Sequence, residues 1–194
     1  PDGVLYPPLL SDHPLHPGPF GDYFVYISRL CVPKRQGLAV EAMRHVAPGC
    51  RLIIVGAPDV PEFLAALKEQ IRRCGVEDRV ELIGWVTEQQ KADLLANCRG
   101  VLFLAYDEDF GYATLEALHA GKPVITCHDS GASLELIEDD FNGLVVAPEP
   151  RAIADAMNRL WGDRTSAAAM GRLALQTPEN LGITWGRVVE TLTA

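Results

Sequence analysis

The chain lacks the features that would assign it to several large functional classes. No run approaches the roughly 18 consecutive apolar residues of a spanning helix, and no basic and apolar leader precedes the first strand-like segment. Basic residues are the minority: 17 Lys and Arg against 26 Asp and Glu give a formal charge of -9, which disfavours general attraction to nucleic acid or anionic membrane. Basic surfaces with interleaved aromatics are also missing. The five cysteines, Cys31, Cys50, Cys74, Cys98 and Cys127, are odd in number and not closely paired. That excludes a disulfide framework and fits reduced thiols in a cytosolic compartment. Histidines show no ligand spacing, so no metal site is expected. Ser28, Ser130 and Ser133 have no nucleophile-elbow context. Neither the Gly-x-Gly-x-x-Gly fingerprint nor a Gly-x-x-x-x-Gly-Lys-Ser/Thr loop occurs, which removes support for ordinary dinucleotide or P-loop binding.

What is present is an alternation. With 194 residues and 48% apolar content, one sizeable core and one domain are expected. Residues 1–22 are rich in proline and glycine and read as an extended lead-in or interdomain linker; the chain starts at Pro1, as a processed or excised piece would. Short apolar, β-branched runs predict about six strands, at 23–28, 51–55, 80–83, 101–105, 123–126 and 144–146. Helix-length mixtures predict helices near 36–46, 61–73, 88–96, 112–119, 132–138 and 150–161. The resulting fold class is α/β: a Rossmann-like, doubly wound parallel sheet spanning residues 23–194. The tail from Arg164 is helical in pattern, broken at Pro178 to Gly182, with Ile183, Val188, Val189 and Leu192 as its apolar positions.

Open α/β sheets bind ligands at the carboxyl ends of their strands, and three loops expected there carry chemistry. After the first strand, Arg29 and Lys34 offer a planar fork and a mobile point charge that suit a diphosphate; a solvated basic turn is the bland alternative. After the fourth strand, Glu108 and Glu116 bracket a helix start. Gly111 there permits close backbone approach, and free N–H groups suit a phosphate. Thr114 adds a hydroxyl, and Glu116, about one turn in, is placed to accept ribose hydroxyls. The bland alternative has Glu108 and Asp109 complementing the helix dipole and Glu116 solvated. Gly131 to Glu135 forms a small-residue turn into a short helix that can face the same cleft, or simply a tight turn. Trp85, after a strand, borders a base or belongs to the core, and Asn142-Gly143 reads as a turn. His128 lies near the cleft edge.

The order of these motifs resembles the nucleotide-sugar-binding C-terminal half of family-four retaining glycosyltransferases. The matching residues are Arg29 to Lys34, Gly84-Trp85, Glu108-x-Phe110-Gly111 with Glu116, Gly121-x-Pro123-Val124-Ile125, Gly131 to Glu135 and Asn142-Gly143, covering roughly residues 20 to 192. The resemblance implies half of a GT-B fold, two facing Rossmann-like domains with the active site between them. It implies diphosphate contacts for Arg29 and Lys34, a ribose contact for Glu116, and a donor-sugar contact for Glu108 near the reacting centre. Further sugar or phosphate contacts are implied for the backbone of Phe110, Gly111, Tyr112 and Ala113, and a base border for Trp85 and Val86. The stretch from Trp185 resembles a final helix that runs back toward an N-terminal domain.

Three positions depart from the family pattern. Ser28, Arg35 and Ala132 stand where glycine is usual, and Arg35 is the large change. The implied activity is transfer of a hexose from a nucleoside diphosphate sugar to a hydroxyl, metal-independent and without a cofactor besides the donor. The N-terminal acceptor-binding domain is absent from this stretch, so the piece alone is expected to be inactive or crippled. A nucleotide-sugar epimerase domain and a non-enzymatic nucleotide-sugar-binding module are the alternatives. A cytoplasmic location is implied, with any attachment to the inner membrane peripheral and made through the absent domain.

Overall fold

The structure, a computed structural model, describes residues 4–10 and 15–193. The six strands β1 (Tyr23–Ile27), β2 (Arg51–Val55), β3 (Val80–Gly84), β4 (Gly100–Phe103), β5 (Val124–Cys127) and β6 (Gly143–Val146) form one sheet ordered β3-β2-β1-β4-β5-β6. Every pairing is parallel, so the order reverses between β1 and β4, where doubly wound sheets open a crevice. The helices are α1 (Gln36–Ala42), α2 (Pro61–Cys74), α3 (Glu88–Asn97), α4 (Tyr112–His119), α5 (Pro150–Gly162), α6 (Arg164–Asn180) and α7 (Trp185–Thr193).

Two-residue periodicity sends alternate strand side chains to opposite faces, and both faces are covered. Phe24, Tyr26, Leu52, Ile54, Leu102 and Leu104 enter a cluster with α1, α2 and α5. Val25, Ile53, Val101, Phe103 and Val124 enter another with α3 and α4. The single expected core is therefore two half-cores with the sheet between them.

Several boundaries move for local reasons. The fourth strand leaves the ladder after Phe103, two residues before its expected end, because other partners take the next backbone groups. The Leu104 amide donates to the Tyr26 hydroxyl at 3.1 Å, and the Leu104 and Ala105 carbonyls accept from Arg35. Helix α1 stops at Ala42, not near Val46, as its last turn tightens to bonds such as His45 N–H to Ala42 O (2.8 Å). Side chains then collect the freed carbonyls: Arg79 from Met43 and Val46, Asn158 from His45. The helix expected at 132–138 is only the 3-10 turn Ala132–Glu135. Pro178 does not end α6; the break comes at Leu181 to Thr184, with Gly182 at φ 68°. In the tail, Ile183 is buried, while Trp185, Val189 and Leu192 on α7 are exposed.

Of the lead-in, residues 1–3 and 11–14 lie outside the described residues. The rest has no helix or strand, yet it lies against the domain: Phe20 joins one half-core, and Tyr6, Leu9 and Leu15 pack on the other. Lys122, wholly buried just after α4, donates to the carbonyls of Gly18 (3.0 Å) and Pro19 (2.9 Å), its ammonium 4.0 Å from the Phe20 ring centroid. Carbonyls and a ring face attract the cation without neutralising it, and burial lowers its pKa from the ordinary 10.5 to about 8.

A lysine whose folded pKa is depressed gives up its proton first in the native state. Between about 8 and 10.5 the unfolded chain binds more protons, and stability from this group rises with pH. Buried Cys50 and Cys98, pushed up to about 12, and Cys127, to about 11, act oppositely above their ordinary 9.0. The clean window is therefore pH 8 to 9, set by those two values. Across it, urea unfolding of the chain should gain up to about 1 kcal/mol from Lys122, and Lys122→Met should lack that gain. Equal slopes in both proteins refute the assignment.

Candidate functional site

Loops leaving β1, β4 and β5 meet at the carboxyl edge. Lys34 closes the 3-10 turn Val32–Lys34, and its ammonium pairs with Glu108 Oε2. Buried Tyr26 lies beneath the pair: its hydroxyl donates to the Lys34 carbonyl while accepting from the Leu104 amide. The middle of β1 thus sets both loop exits. Arg35 follows in the left-handed region, at φ 49°, the conformation glycine enters most easily. Its guanidinium takes both oxygens of Asp129 (2.9 and 2.8 Å) and the carbonyls of Leu104 (2.6 Å) and Ala105 (3.1 Å). The unusual arginine is committed to joining three loops, and it holds the Asp129 carboxyl below its ordinary pKa.

Glu108 is fixed through its backbone as well. The Ala132 amide donates to Glu108 O (2.8 Å), and Asp107 N–H to Asp129 O (2.9 Å). A parallel bridge joins Glu108 to Gly131, which sits at φ 64°, ψ -139°. A Cβ on Gly131 would stand 2.5 Å from Glu108 O and 2.6 Å from Glu108 N. Only glycine permits this approach.

Helix α4 begins at Gly111, at φ 76°, without a side-chain cap, so its opening N–H groups at Tyr112 and Ala113 have no intrahelical acceptor. Phe110 is half-buried, edge-on to exposed Tyr112 (5.1 Å between centroids) and stacked on Tyr6 (5.8 Å). Ala113 is half-buried. Thr114 points inward: it is wholly buried, and its hydroxyl has no hydrogen-bond partner among the described residues. Glu116 has a side chain only 16% exposed and forms an ion pair with Lys91 at 2.6 Å. Lys91 also pairs with Glu88 at 2.8 Å. Burial raises the Glu116 pKa above its ordinary value, and Lys91 opposes that rise.

Beside these pairs, a pocket of about 320 Å³ opens between the exits of β1, β2 and β3. Its lining includes Ser28, Arg29, Gly56, Trp85, Val86 and Lys91. Trp85 is 75% exposed, a wall of the pocket and not a core residue. The Arg29 side chain is 72% exposed and bonds Asp59 at 3.1 Å. Arg29, Trp85, Val86, Lys91 and Glu116 thus form one neighbourhood, and Lys34, Glu108, Phe110 and the α4 start form the next.

Three roles escape a sequence reading. Lys91 reads only as the partner of Glu88 three residues before it on a polar helix, and Tyr26 reads only as a strand core residue. Wholly buried Gln36 is a third case, donating to Ser28 Oγ (2.8 Å) and Arg29 O (2.7 Å) to shape the β1 exit. Asn142 is buried and bonds Leu136 O (2.8 Å) and Thr177 Oγ1 (3.0 Å), which is turn architecture. Glu135 accepts from the Tyr6 hydroxyl. His128 stands at 3.2 Å from Val145 O. Among the described residues, no three or more His, Cys, Asp or Glu side chains are gathered as for a metal ion, and no helix is long and apolar enough to cross a membrane.

The chain is a Rossmann-like half of the GT-B kind, with charged pairs at its carboxyl edge and an open pocket at the neighbouring exits of β1, β2 and β3. The family described as Glycosyl transferases group 1 matches residues 20–177, and the chain belongs to that family. Among curated relatives, the GDP-mannose-dependent alpha-(1-6)-phosphatidylinositol monomannoside mannosyltransferase of Mycobacterium tuberculosis is 35% identical over 158 residues, 76% of this chain and 40% of that protein. The Alpha-1,3/1,6-mannosyltransferase ALG2 of Dictyostelium discoideum is 34% identical over 116 residues, 60% of this chain and 27% of that protein. The chain therefore spans well under half the length of these relatives. Anabaena Alr3699/HepE, solved in complex with UDP and glucose, superposes with a TM-score of 0.81 at 27% identity, over 89% of this chain and 48% of that one. The C-terminal domain of the group 1 protein LpcC from Francisella tularensis shares the fold at a TM-score of 0.74 and 22% identity, with 92% and 97% covered.

Gly131→Ala should destabilise the chain by about 2 kcal/mol or more, since a strained φ and a backbone clash act together. Chemical unfolding checks it, and a cost near zero shows that the Glu108 loop gives way.

Proposed function

We propose that this chain is the donor-binding half of a retaining glycosyltransferase that moves a hexose from a nucleoside diphosphate sugar to a hydroxyl. The observation that carries the reading is the pairing of Lys34 with Glu108 and of Lys91 with Glu116 around the uncapped start of α4. Lys34 uses one of its three N–H donors on Glu108 and keeps two for phosphate oxygens. Among the described residues Arg29 is held only by a solvated pair, whose loss costs at most about 1 kcal/mol, so its fork turns readily toward a diphosphate. The N–H groups of Tyr112 and Ala113, freed by Gly111, face the same negative charge. Phe110 walls the sugar, Trp85 and Val86 border the base, and Glu116 accepts the ribose hydroxyls. Thr114, facing inward, acts by packing beneath the helix start.

In the transfer, the bond from the sugar C1 to the diphosphate oxygen breaks and a bond from C1 to the acceptor oxygen forms on the same face. The hydroxyl proton leaves with the departing diphosphate. Lys34 and Arg29 stabilise charge that grows on the leaving group, an interaction stronger in the transition state than before it. Glu108 orients sugar hydroxyls. Residues 1–22 serve as the linker from an acceptor-binding domain, and exposed α7 lies toward that domain. The compartment in this reading is the cytoplasm, in keeping with five free cysteines, three of them buried.

Calorimetry with uridine, guanosine and adenosine diphosphates should show saturable binding of at least one to this chain. Silence at millimolar ligand rejects a preformed site. In a full-length protein containing the chain, Lys34→Ala should cut turnover strongly, by several kcal/mol of transition-state stabilisation, beyond the loss of stability that parting the enclosed Lys34–Glu108 pair brings, which chemical unfolding measures separately. Near-normal kinetics would confine Lys34 to holding Glu108 in place.

The two glutamates should separate. Glu116→Gln weakens nucleoside diphosphate binding, and Glu108→Gln spares binding but lowers transfer, each by about 2 kcal/mol. Equal effects of both changes on both quantities dismiss this division.

A further inference from the structure

Lys91 sits where the pocket and α4 meet, on a helix otherwise concerned with packing. As the i,i+3 partner of Glu88 it would be an ordinary surface pair worth a few tenths of a kcal/mol. Its surroundings differ from that. The Lys91 side chain is only 16% exposed, as is that of Glu116, and the two meet at 2.6 Å across separate helices. The Lys91 ammonium engages Glu116 through Oε1, leaving Oε2 without a partner among the described residues.

A carboxylate this enclosed tends to take up a proton. A protonated Glu116 has lost half of its power to accept hydroxyl hydrogens, and ribose offers two donors. We infer that Lys91 is a positioning residue of the nucleotide site: it acts through Glu116, holding that carboxylate ionised with Oε1 engaged so that Oε2 remains for a vicinal diol. The inference rests on the donor-binding reading above.

The charges that bear on Glu116 from α3 are Lys91 and Glu88, which act in opposite directions. On its own helix, His119 lies one turn on, with Nδ1 2.9 Å from the Leu115 carbonyl. Arg29 lines the same pocket and is directed to Asp59. Lys91 is the only one of these cations in contact with Glu116 among the described residues.

The test compares the unaltered chain with Lys91→Met and Lys91→Arg. Carbon NMR of the Glu116 carboxyl follows its titration in the ligand-free chain, and calorimetry follows uridine diphosphate affinity, or guanosine diphosphate if that binds more tightly, over the same pH range. In Lys91→Met, Glu116 should titrate at higher pH. Affinity should fall by about tenfold at the acid end and converge on the unaltered value at the alkaline end. Taking the ratio of the two affinities cancels the titration of the phosphate itself. Lys91→Arg should restore both curves, which a merely structural lysine does not require.

A Glu116 titration unmoved by Lys91→Met overturns the inference. So does a loss of affinity that is the same at every pH, which would mean that Lys91 touches the ligand directly. If the unaltered chain binds no nucleoside diphosphate, the donor-binding reading fails, while the carboxyl titration still decides whether Lys91 controls Glu116.

Discussion

The arrangement of this edge depends on Arg35. A parallel sheet brings its strand exits to one side but leaves each exit loop to find its own partners. Here one guanidinium fills four acceptor positions on two other loops, the Leu104 and Ala105 carbonyls and both oxygens of Asp129. The left-handed backbone at φ 49° aims the side chain inward across β4. Lys34, one residue earlier, meets Glu108. The strain of a non-glycine residue in this region, of order 1 kcal/mol or more, is offset by charge-assisted hydrogen bonds that are each stronger than neutral ones.

A second regularity concerns charge. In a chain of formal charge -9, the cations at the edge each face a carboxylate: Arg29 with Asp59, Lys34 with Glu108, Arg35 with Asp129, Lys91 with Glu116 and Glu88. The pairs differ in enclosure. Arg29 is solvated, so its partner can be exchanged at little cost, whereas Lys34 and Lys91 are largely enclosed and are held in place by theirs. Enclosure therefore orients the Lys34 and Lys91 donors in the ligand-free chain, while Arg29 stays free to turn.

Much of the architecture was legible in the residues, because short β-branched runs separated by helix-length mixtures admit few folds other than a doubly wound sheet. Strand number and the start of α4 follow from pattern and from Gly111. The ends of β4 and α1 do not, since they are set by Arg35 and Arg79, which reach their carbonyls from distant positions. At the edge, residues whose chemistry is unusual for their place, such as Glu108 and Glu116 at a helix start, stand out in sequence. Lys91 and Tyr26 do not, because a lysine on a polar helix and a tyrosine in an apolar strand are ordinary until their partners are seen. Arg35 reads as a large side chain where glycine is usual, and its position in space is that of a fastener.

Buried Lys122 has a mechanical meaning as well as an energetic one. It follows immediately on the far end of α4, the helix whose near end is Gly111, and it grips Gly18 and Pro19 of the lead-in. Eight residues of helix make a rod about 12 Å long. The rod is anchored to the incoming chain at one end, carries Glu116 at its middle and presents the open N–H groups at the other. Gly18 and Pro19 on the incoming chain and the open N–H groups at the carboxyl edge are therefore joined through a single short helix.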